Sequence, residues 1–186
     1  GITSWSDPSR YGLSMSLGSL EVRMTELATA YSAFANDGII TPLISIKEVV
    51  STSSKINYLA KCNDSSSEEI DTSSVLAEED NCLARRVISS QTAKQITEIL
   101  SDNQARSSAF GQNSVLNIKN HKVAVKTGTS NELKDNWTIG YNNDLLVATW
   151  VGNNDSHPMS KIASGITGAS PIWSKIFNNL LNKKLA

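Results

Sequence analysis

Lys126-Thr127-Gly128-Thr129-Ser130 brings a cation, three hydroxyls and a glycine together at the end of an extended, largely apolar run. Those groups suit the binding of a carboxylate, because hydrogen bonds to an ionised group are the strong ones. A glycine on a strand also lets a ligand approach the backbone closely. The triplet Lys-Thr-Gly alone reads more readily as a strand end with a surface lysine and a turn glycine, so its weight depends on its surroundings. Other chemistry-bearing residues are sparse. His121 and His157 stand apart, as do Cys62 and Cys82, and none has the spacing of a metal-ligand set. No metal or other cofactor is expected, and both histidines read as surface or loop residues.

A chain of 186 residues is about one domain's length. Apolar residues make up 39% and charged residues 19%, with a net charge of −1, which suits a folded domain and argues against disorder. A balance this close to neutral gives no reason to expect nucleic acid as a partner. The apolar run 145–151 falls far short of the roughly 18–20 residues of a membrane helix. Gly1-Ile2-Thr3-Ser4-Trp5 shows no charged leader before an apolar core, so no signal peptide is expected here. The charge is unevenly spread. Seven acidic residues and no Lys or Arg lie between Cys62 and Cys82, leaving 11 acidic against 17 basic residues elsewhere. This serine-rich stretch, an insertion at about 52–82, reads as a solvated loop outside the core.

Periodicity supplies the elements that must hold the motif. Met24, Leu27, Ala28, Tyr31 and Ala35 share one face of a helix predicted over 24–36, stopped by Asn36-Asp37-Gly38. Its start is weakly marked, with Arg23 where a capping side chain would help. Ile44 and Ile46 alternate with Ser45 and Lys47 in an extended segment over 39–50, broken early by Thr41-Pro42, which predicts a strand. Ser89-Ser90 is placed to cap a helix from about 91 to 100 with Ile96, Ile99 and Leu100 as its buried stripe. Residues 101–120 read as irregular. Strands follow at 122–127, 136–141 and 145–151, the last two joined as an antiparallel hairpin by Asn142-Asn143-Asp144. Ser170-Pro171 then opens a final helix, as N-cap and first residue, running to about Leu181. The layout is α+β, an antiparallel sheet flanked by helices. Trp137, Trp150 and Trp173 are expected in packing contacts.

Several strings, in this order, resemble one family. The motif at 126–130, Asp135-Asn136-Trp137-Thr138-Ile139-Gly140-Tyr141 and residues 147–154 resemble the C-terminal half of the transpeptidase domain of class A penicillin-binding proteins. That domain has the serine β-lactamase/penicillin-binding fold. Tyr11-Gly12-Leu13-Ser14-Met15-Ser16-Leu17-Gly18, leading into 21–38, also resembles it, as do Leu100-Ser101-Asp102-Asn103 and residues 164–173. The resemblance covers about residues 1–50 and 83–182 and leaves out the acidic insertion. It implies that Lys126 supplies positive charge near the substrate carboxylate and the catalytic hydroxyls. It implies that Thr127 and Thr129 offer hydroxyls to that carboxylate, and that the Thr129 N–H is one oxyanion-hole donor. Gly128 would leave room for a D-Ala-D-Ala stem peptide or a β-lactam to lie along the strand. The implied reaction is acyl transfer. A serine attacks the D-Ala-D-Ala bond, the terminal D-Ala leaves, and the acyl-enzyme passes to an amine on a neighbouring stem peptide.

One departure is as informative as the match. The family's nucleophile sits in S-x-x-K, and no serine stands three residues before any lysine here; the nearest case is Thr52 before Lys55. Ser101-Asp102-Asn103 spells the family's second box, S-x-N. It stands 23 residues before Lys126 at a predicted helix end, however, whereas family order puts that box upstream of Tyr11, so it reads as a decoy. The expectation is therefore a fragment, residues 1–186 being the C-terminal portion of the domain and inactive alone. The missing N-terminal part would carry the nucleophile, its lysine base and the S-x-N serine. The parent would be a synthase bifunctional with a glycosyltransferase, a type favoured by the run 135–154. A β-lactamase or carboxypeptidase of the same fold and a non-catalytic binding module are the alternatives. The family context is the extracytoplasmic face of a bacterial membrane, with an anchor upstream. Disulfides persist there, so Cys62 and Cys82 are expected to pair and tie the base of the insertion. Apolar surface meant for the absent part is expected to favour self-association.

Overall fold

The computed structural model describes residues 2–5, 12, 20–46, 48–52, 56–59, 84–159 and 167–184, with backbone alone at 56–59, 131 and 184. Cys62, Cys82 and the acidic residues between them lie outside the described residues, and so does the expectation of a disulfide-tied loop. The elements are α1 (Met24–Ala35), β1 (Ile39–Ile40), β2 (Glu48–Val50), β3 (Ile56–Leu59) and β4 (Arg85–Arg86). Then come α2 (Ser90–Ser101), α3 (Asn103–Phe110), β5 (Ala124–Thr129), β6 (Asp135–Tyr141), β7 (Leu146–Gly152) and α4 (Ala169–Lys184).

α1 begins, as its sequence suggested, without a capping side chain at Arg23. It ends where Gly38 adopts φ 88° and returns its N–H to Ala33 O at 2.7 Å. A Cβ on Gly38 would lie 2.3 Å from Ile88 O, so the position needs glycine for space as well as for its backbone. α2 is capped as expected, with Ser89 Oγ accepting from Thr92 N–H at 3.0 Å. Its buried stripe is shifted, however. Ala93 is buried, Ile96, Thr97 and Leu100 are half-buried, and Ile99 is 68% exposed. Helical spacing alone left the rotation of this helix open by one position.

Four further expectations are corrected. The stretch 101–120 is not wholly irregular. Asp102 caps a second helix, its carboxylate accepting from Ala105 N–H at 2.9 Å, and Gly111 with φ 81° ends it. The segment 39–50 is not one strand. β1 pairs antiparallel with β4 and β2 with β3, while Ile44 and Ile46 between them are exposed and outside any ladder. β3 falls inside the span assigned to the insertion, where the acidic composition of the whole stretch masked Ile56-Asn57-Tyr58-Leu59 at its start. α4 begins two residues earlier than expected, at Ala169, and Ser170 is inside it rather than its cap. The reason is tertiary, since Ser170 Oγ is spent on Thr138 Oγ1 at 2.8 Å.

β5, β6 and β7 form an antiparallel sheet in that order. Its register sets Lys126 opposite Ile139, Gly128 opposite Trp137 and Thr129 opposite Asn136, with Ile139 opposite Ala148 beyond. Because side chains alternate along a strand, Asn136, Thr138 and Gly140 share one face with Val125, Thr127 and Thr129. α4 covers that face. Trp173, Phe177 and Leu181 pack there with Val125, Val147, Leu116, Ile118 and Val123 in the main apolar cluster. A Cβ on Gly140 would come within 2.4 Å of the Trp173 ring, so glycine lets the helix lie close. The opposite face carries Ala124, Ile139 and Tyr141. There the Tyr141 ring meets Tyr31 of α1 edge-on at 6.5 Å, and its hydroxyl lies 3.0 Å from Thr97 of α2. The sheet is thus sandwiched between α4 and the α1–α2 pair.

Candidate active site

The strand carrying the motif is β5, and the structure moves its bounds two residues later than the sequence suggested. Trp137 and Asn136 continue the ladder to Gly128 and Thr129, so all of Lys126-Thr127-Gly128-Thr129 is in the strand. Among the described residues β5 has no strand on its outer side. Ser130 N–H donates to Asp135 O at 3.0 Å, which makes 130/135 a hydrogen-bonded pair. Antiparallel ladders alternate, so Gly128 and Lys126 also turn their backbone groups toward β6. Thr127 and Thr129 turn theirs away, to the open edge. Lys126 Nζ agrees with this geometry, donating to Thr127 O on that edge.

Lys126 and Thr129 are exposed, and Thr127 and Gly128 are half-buried. Lys126 and Gly128 share a face with Trp137, which packs against Trp150 with ring centroids 6.5 Å apart. A Cβ on Gly128 would meet only Trp137 Cβ, at 3.7 Å, which is ordinary contact. Gly140 and Gly152 differ sharply, since Cβ atoms there would lie 2.4 Å from tryptophan rings. Packing demands glycine at 140 and 152. At 128 it leaves the space beside the backbone open.

Behind the motif lies a polar network that the sequence did not announce. Asn136 is fully buried. Its Nδ2 donates to Thr129 Oγ1 at 3.1 Å, and its Oδ1 accepts from Ala169 N–H, at the start of α4, at 2.6 Å. Thr149 Oγ1 donates toward Ala169 O at 3.1 Å and Thr138 O at 3.3 Å, beside the Thr138–Ser170 pair. The available signal was that Asn136, Thr138 and Thr149 place polar side chains on the inner face of strands whose neighbours are apolar. Ser130 also has a local role. Its hydroxyl donates to Asp135 Oδ2 at 3.0 Å and accepts from Asp135 N–H at 2.8 Å, while Asp135 Oδ1 accepts from Trp150 Nε1 at 3.0 Å.

Ser101, Asp102 and Asn103 form the junction of α2 and α3, with Asp102 spent as a cap. His121 and His157 are exposed, His157 facing Asp155 at 3.0 Å. A cleft of about 600 Å³ opens at the other end of the sheet, lined by Phe34, Asp37, Lys94, Thr97, Tyr141 and Asp144 among others. No residue of the 126–129 motif lines it. Burial pushes the phenols of Tyr31 and Tyr141, packed beside one another there, above their ordinary pKa.

The outer edge of β5 thus carries a lysine, two threonines and an unobstructed glycine, on a sheet with helices on both faces. The penicillin binding protein transpeptidase domain family matches residues 3–179, and the chain belongs to that family. Penicillin-binding protein 1A of Pseudomonas aeruginosa is 28% identical over 202 residues, covering 92% of this chain and 24% of the relative. Penicillin-binding protein 1B of Buchnera aphidicola is 27% identical, covering 87% of this chain and 18% of the relative. Among solved structures, penicillin-binding protein 1A from Haemophilus influenzae superposes with a TM-score of 0.68 at 25% identity, over 94% of this chain and 29% of that one. The imipenem acyl-enzyme complex of penicillin-binding protein A from M. tuberculosis superposes at 0.59 and 22% identity, over 89% and 33%, and shows the shared fold. The chain thus spans between 18% and 24% of the length of these curated relatives.

Proposed function

We propose that residues 1–186 are the C-terminal portion of a D,D-transpeptidase domain, supplying the substrate-side wall of its active site. The observation that carries this is the outer edge of β5. Thr129 N–H points away from β6, beside an exposed Lys126, two threonines and the open side of Gly128. Lys126 places positive charge at the terminal carboxylate of a stem peptide or β-lactam, and Thr127 and Thr129 offer it hydroxyls. The Thr129 N–H meets the carbonyl oxygen as it becomes negative, the kind of contact that lowers an acyl-transfer barrier most. The nucleophile lies elsewhere in the protein. Supporting this, the chain spans no more than 24% of these relatives and has no serine three residues before a lysine.

The parent cross-links stem peptides at the extracytoplasmic face of the bacterial membrane, paired with a glycosyltransferase and anchored upstream. Cys62 and Cys82 pair in that oxidising setting. The isolated chain self-associates, a reading supported by the partly exposed Ile172, Ile176 and Leu180, which repeat at helical spacing along α4.

Intact-mass spectrometry after incubation with a penicillin tests the assignment. The 186-residue chain should gain no mass, because positioning groups without an activated serine form no covalent bond. A longer protein from the same gene, including the S-x-x-K region, should gain the mass of the whole drug. No adduct on the longer protein would remove the transpeptidase reading. An adduct on the short chain would show that a serine here, Ser101 or Ser130 being the first to check, is a nucleophile.

A further inference from the structure

We propose that Asn136 is a positioning residue that sets the hydrogen-bond polarity of the Thr129 hydroxyl, so that Thr129 presents its proton to the ligand's carboxylate. This rests on the reading of Lys126-Thr127-Gly128-Thr129 as the carboxylate site. The Ala169 N–H belongs to the first turn of a 16-residue helix, where backbone donors lack helical partners. It can only donate, and its contact with Asn136 Oδ1 is 2.6 Å in a fully buried place. Flipping the Asn136 amide would bring two donors face to face there, without water to relieve them. The amide is therefore held with Oδ1 toward the helix and Nδ2 toward β5.

The consequence passes to Thr129. Nδ2 donates to Thr129 Oγ1 at 3.1 Å, so that oxygen is the acceptor of the pair. A hydroxyl has a single proton, and here it remains for a different partner. Thr129 is exposed, at the open edge of β5. A carboxylate is acceptor-only and takes just such a proton. The chain Ala169 N–H to Asn136 to Thr129 runs in one direction, from the positive end of α4 outward, and each link polarises the next. Thr127, on the same face one pair along, lies opposite Thr138 instead, so this relay belongs to Thr129 alone.

The test uses the longer protein that carries the nucleophile, with Asn136→Ala, Asn136→Ser and Thr129→Val, singly and with each Asn136 change combined with Thr129→Val. Acylation rates are measured with a penicillin and with its methyl ester, which has no carboxylate charge. Serine keeps a polar atom in the site, but its Oγ stands where the Asn136 Cγ does, short of both partners, so it is a second truncation that leaves a smaller and less apolar gap. Each Asn136 change should slow acylation by the free acid about tenfold, the size of one net hydrogen bond. The same change should do nothing further once Thr129 is valine, and should barely alter the rate with the ester. An equal slowing in the Thr129→Val background, or with the ester, would overturn the relay and leave Asn136 a structural tie. Loss of folding in both Asn136 variants would overturn it likewise. If Thr129→Val and Lys126→Ala both acylate at the wild-type rate, the carboxylate-site reading itself has failed, a result distinct from failure of the relay.

Discussion

In the row of Gly140, the sheet meets α4 through Trp173 and Phe177, with ring centroids 5.1 Å apart and no exposure for either. Two to four residues along the same strands, the same helix meets Thr138, Thr149 and Asn136, and hydrogen bonds join them. The apolar end is held by area removed from water, which is favourable but without direction. The polar end gains little net stability per bond, yet each bond fixes an orientation, and a missing partner is costly in a dry site. The motif of β5 runs out along the polar end. Thr129 of that motif is tied to the network behind it through Asn136, while the apolar end keeps strands and helix together.

If that division is right, truncating the apolar end should damage the fold most. Trp173→Ala should cost about 3–5 kcal/mol, the range for large buried aromatics, read as a lower denaturant midpoint. It also removes the bond from Trp173 Nε1 to Val147 O. Lys126→Ala should do the reverse. Its side chain is exposed, so stability should stay within about 0.5 kcal/mol. Acylation of the longer protein by penicillin should slow about 10²–10³-fold, as for removal of one contact to developing charge. Equal stability losses in the two variants would erase the comparison.

The glycines sharpen it further. Gly140→Ala should destabilise by about 1–3 kcal/mol, because the new methyl cannot avoid the Trp173 ring without moving α4. Gly128→Ala should leave the melting temperature close to wild type, since its methyl meets only Trp137. It should nonetheless slow acylation, by occupying space along the ligand edge. A Gly128→Ala protein as unstable as Gly140→Ala would mean that packing, not access, fixes that glycine.

The apolar end was the more legible from sequence. Branched and aromatic residues at strand spacing marked β5, β6 and β7 to within two residues, and Asn142-Asn143-Asp144 marked their hairpin, where Asn142 Oδ1 accepts from Asp144 and Leu145 N–H. The motif was also legible, as a string. What escaped was whatever depends on a distant partner. Asn136 reads as one polar residue among several until Ala169 is seen beside it, and Ser170 reads as a cap until Thr138 takes its hydroxyl. α3 was missed because Asn103-Gln104-Ala105-Arg106-Ser107-Ser108 has no apolar stripe, and its start depends on the Asp102 cap. Ile44 and Ile46 show the opposite failure, since an alternating pattern makes a strand only where a neighbour supplies the ladder.

A tie on the other side of the sheet offers the smallest effect. Glu26, in the first turn of α1, accepts from Ser4 Oγ at 2.6 Å, Thr3 Oγ1 at 2.7 Å and Thr3 N–H at 3.2 Å. The Ser4 hydroxyl, then those of Thr3, favour the ionised form and lower its pKa from 4.5 to about 2. A carboxyl whose folded pKa lies below its unfolded value stabilises the fold fully above about pH 4.5. That contribution fades as pH falls through the window down to about 2. The carboxylate stands at the surface, so water and salt screen it, and the change should be felt locally, where residues 3–4 dock on α1. In an NMR titration the Glu26 carboxyl should stay ionised at pH 3, while an unperturbed glutamate is mostly protonated there. Glu26→Gln should loosen residues 2–5, read as faster amide exchange at Thr3, without moving the global unfolding midpoint beyond error. A Glu26 midpoint near 4.5 would mean the tie to Thr3 and Ser4 does not form in solution. A large global loss in Glu26→Gln would mean that an exposed polar contact can carry the stability here assigned to Trp173 and its neighbours.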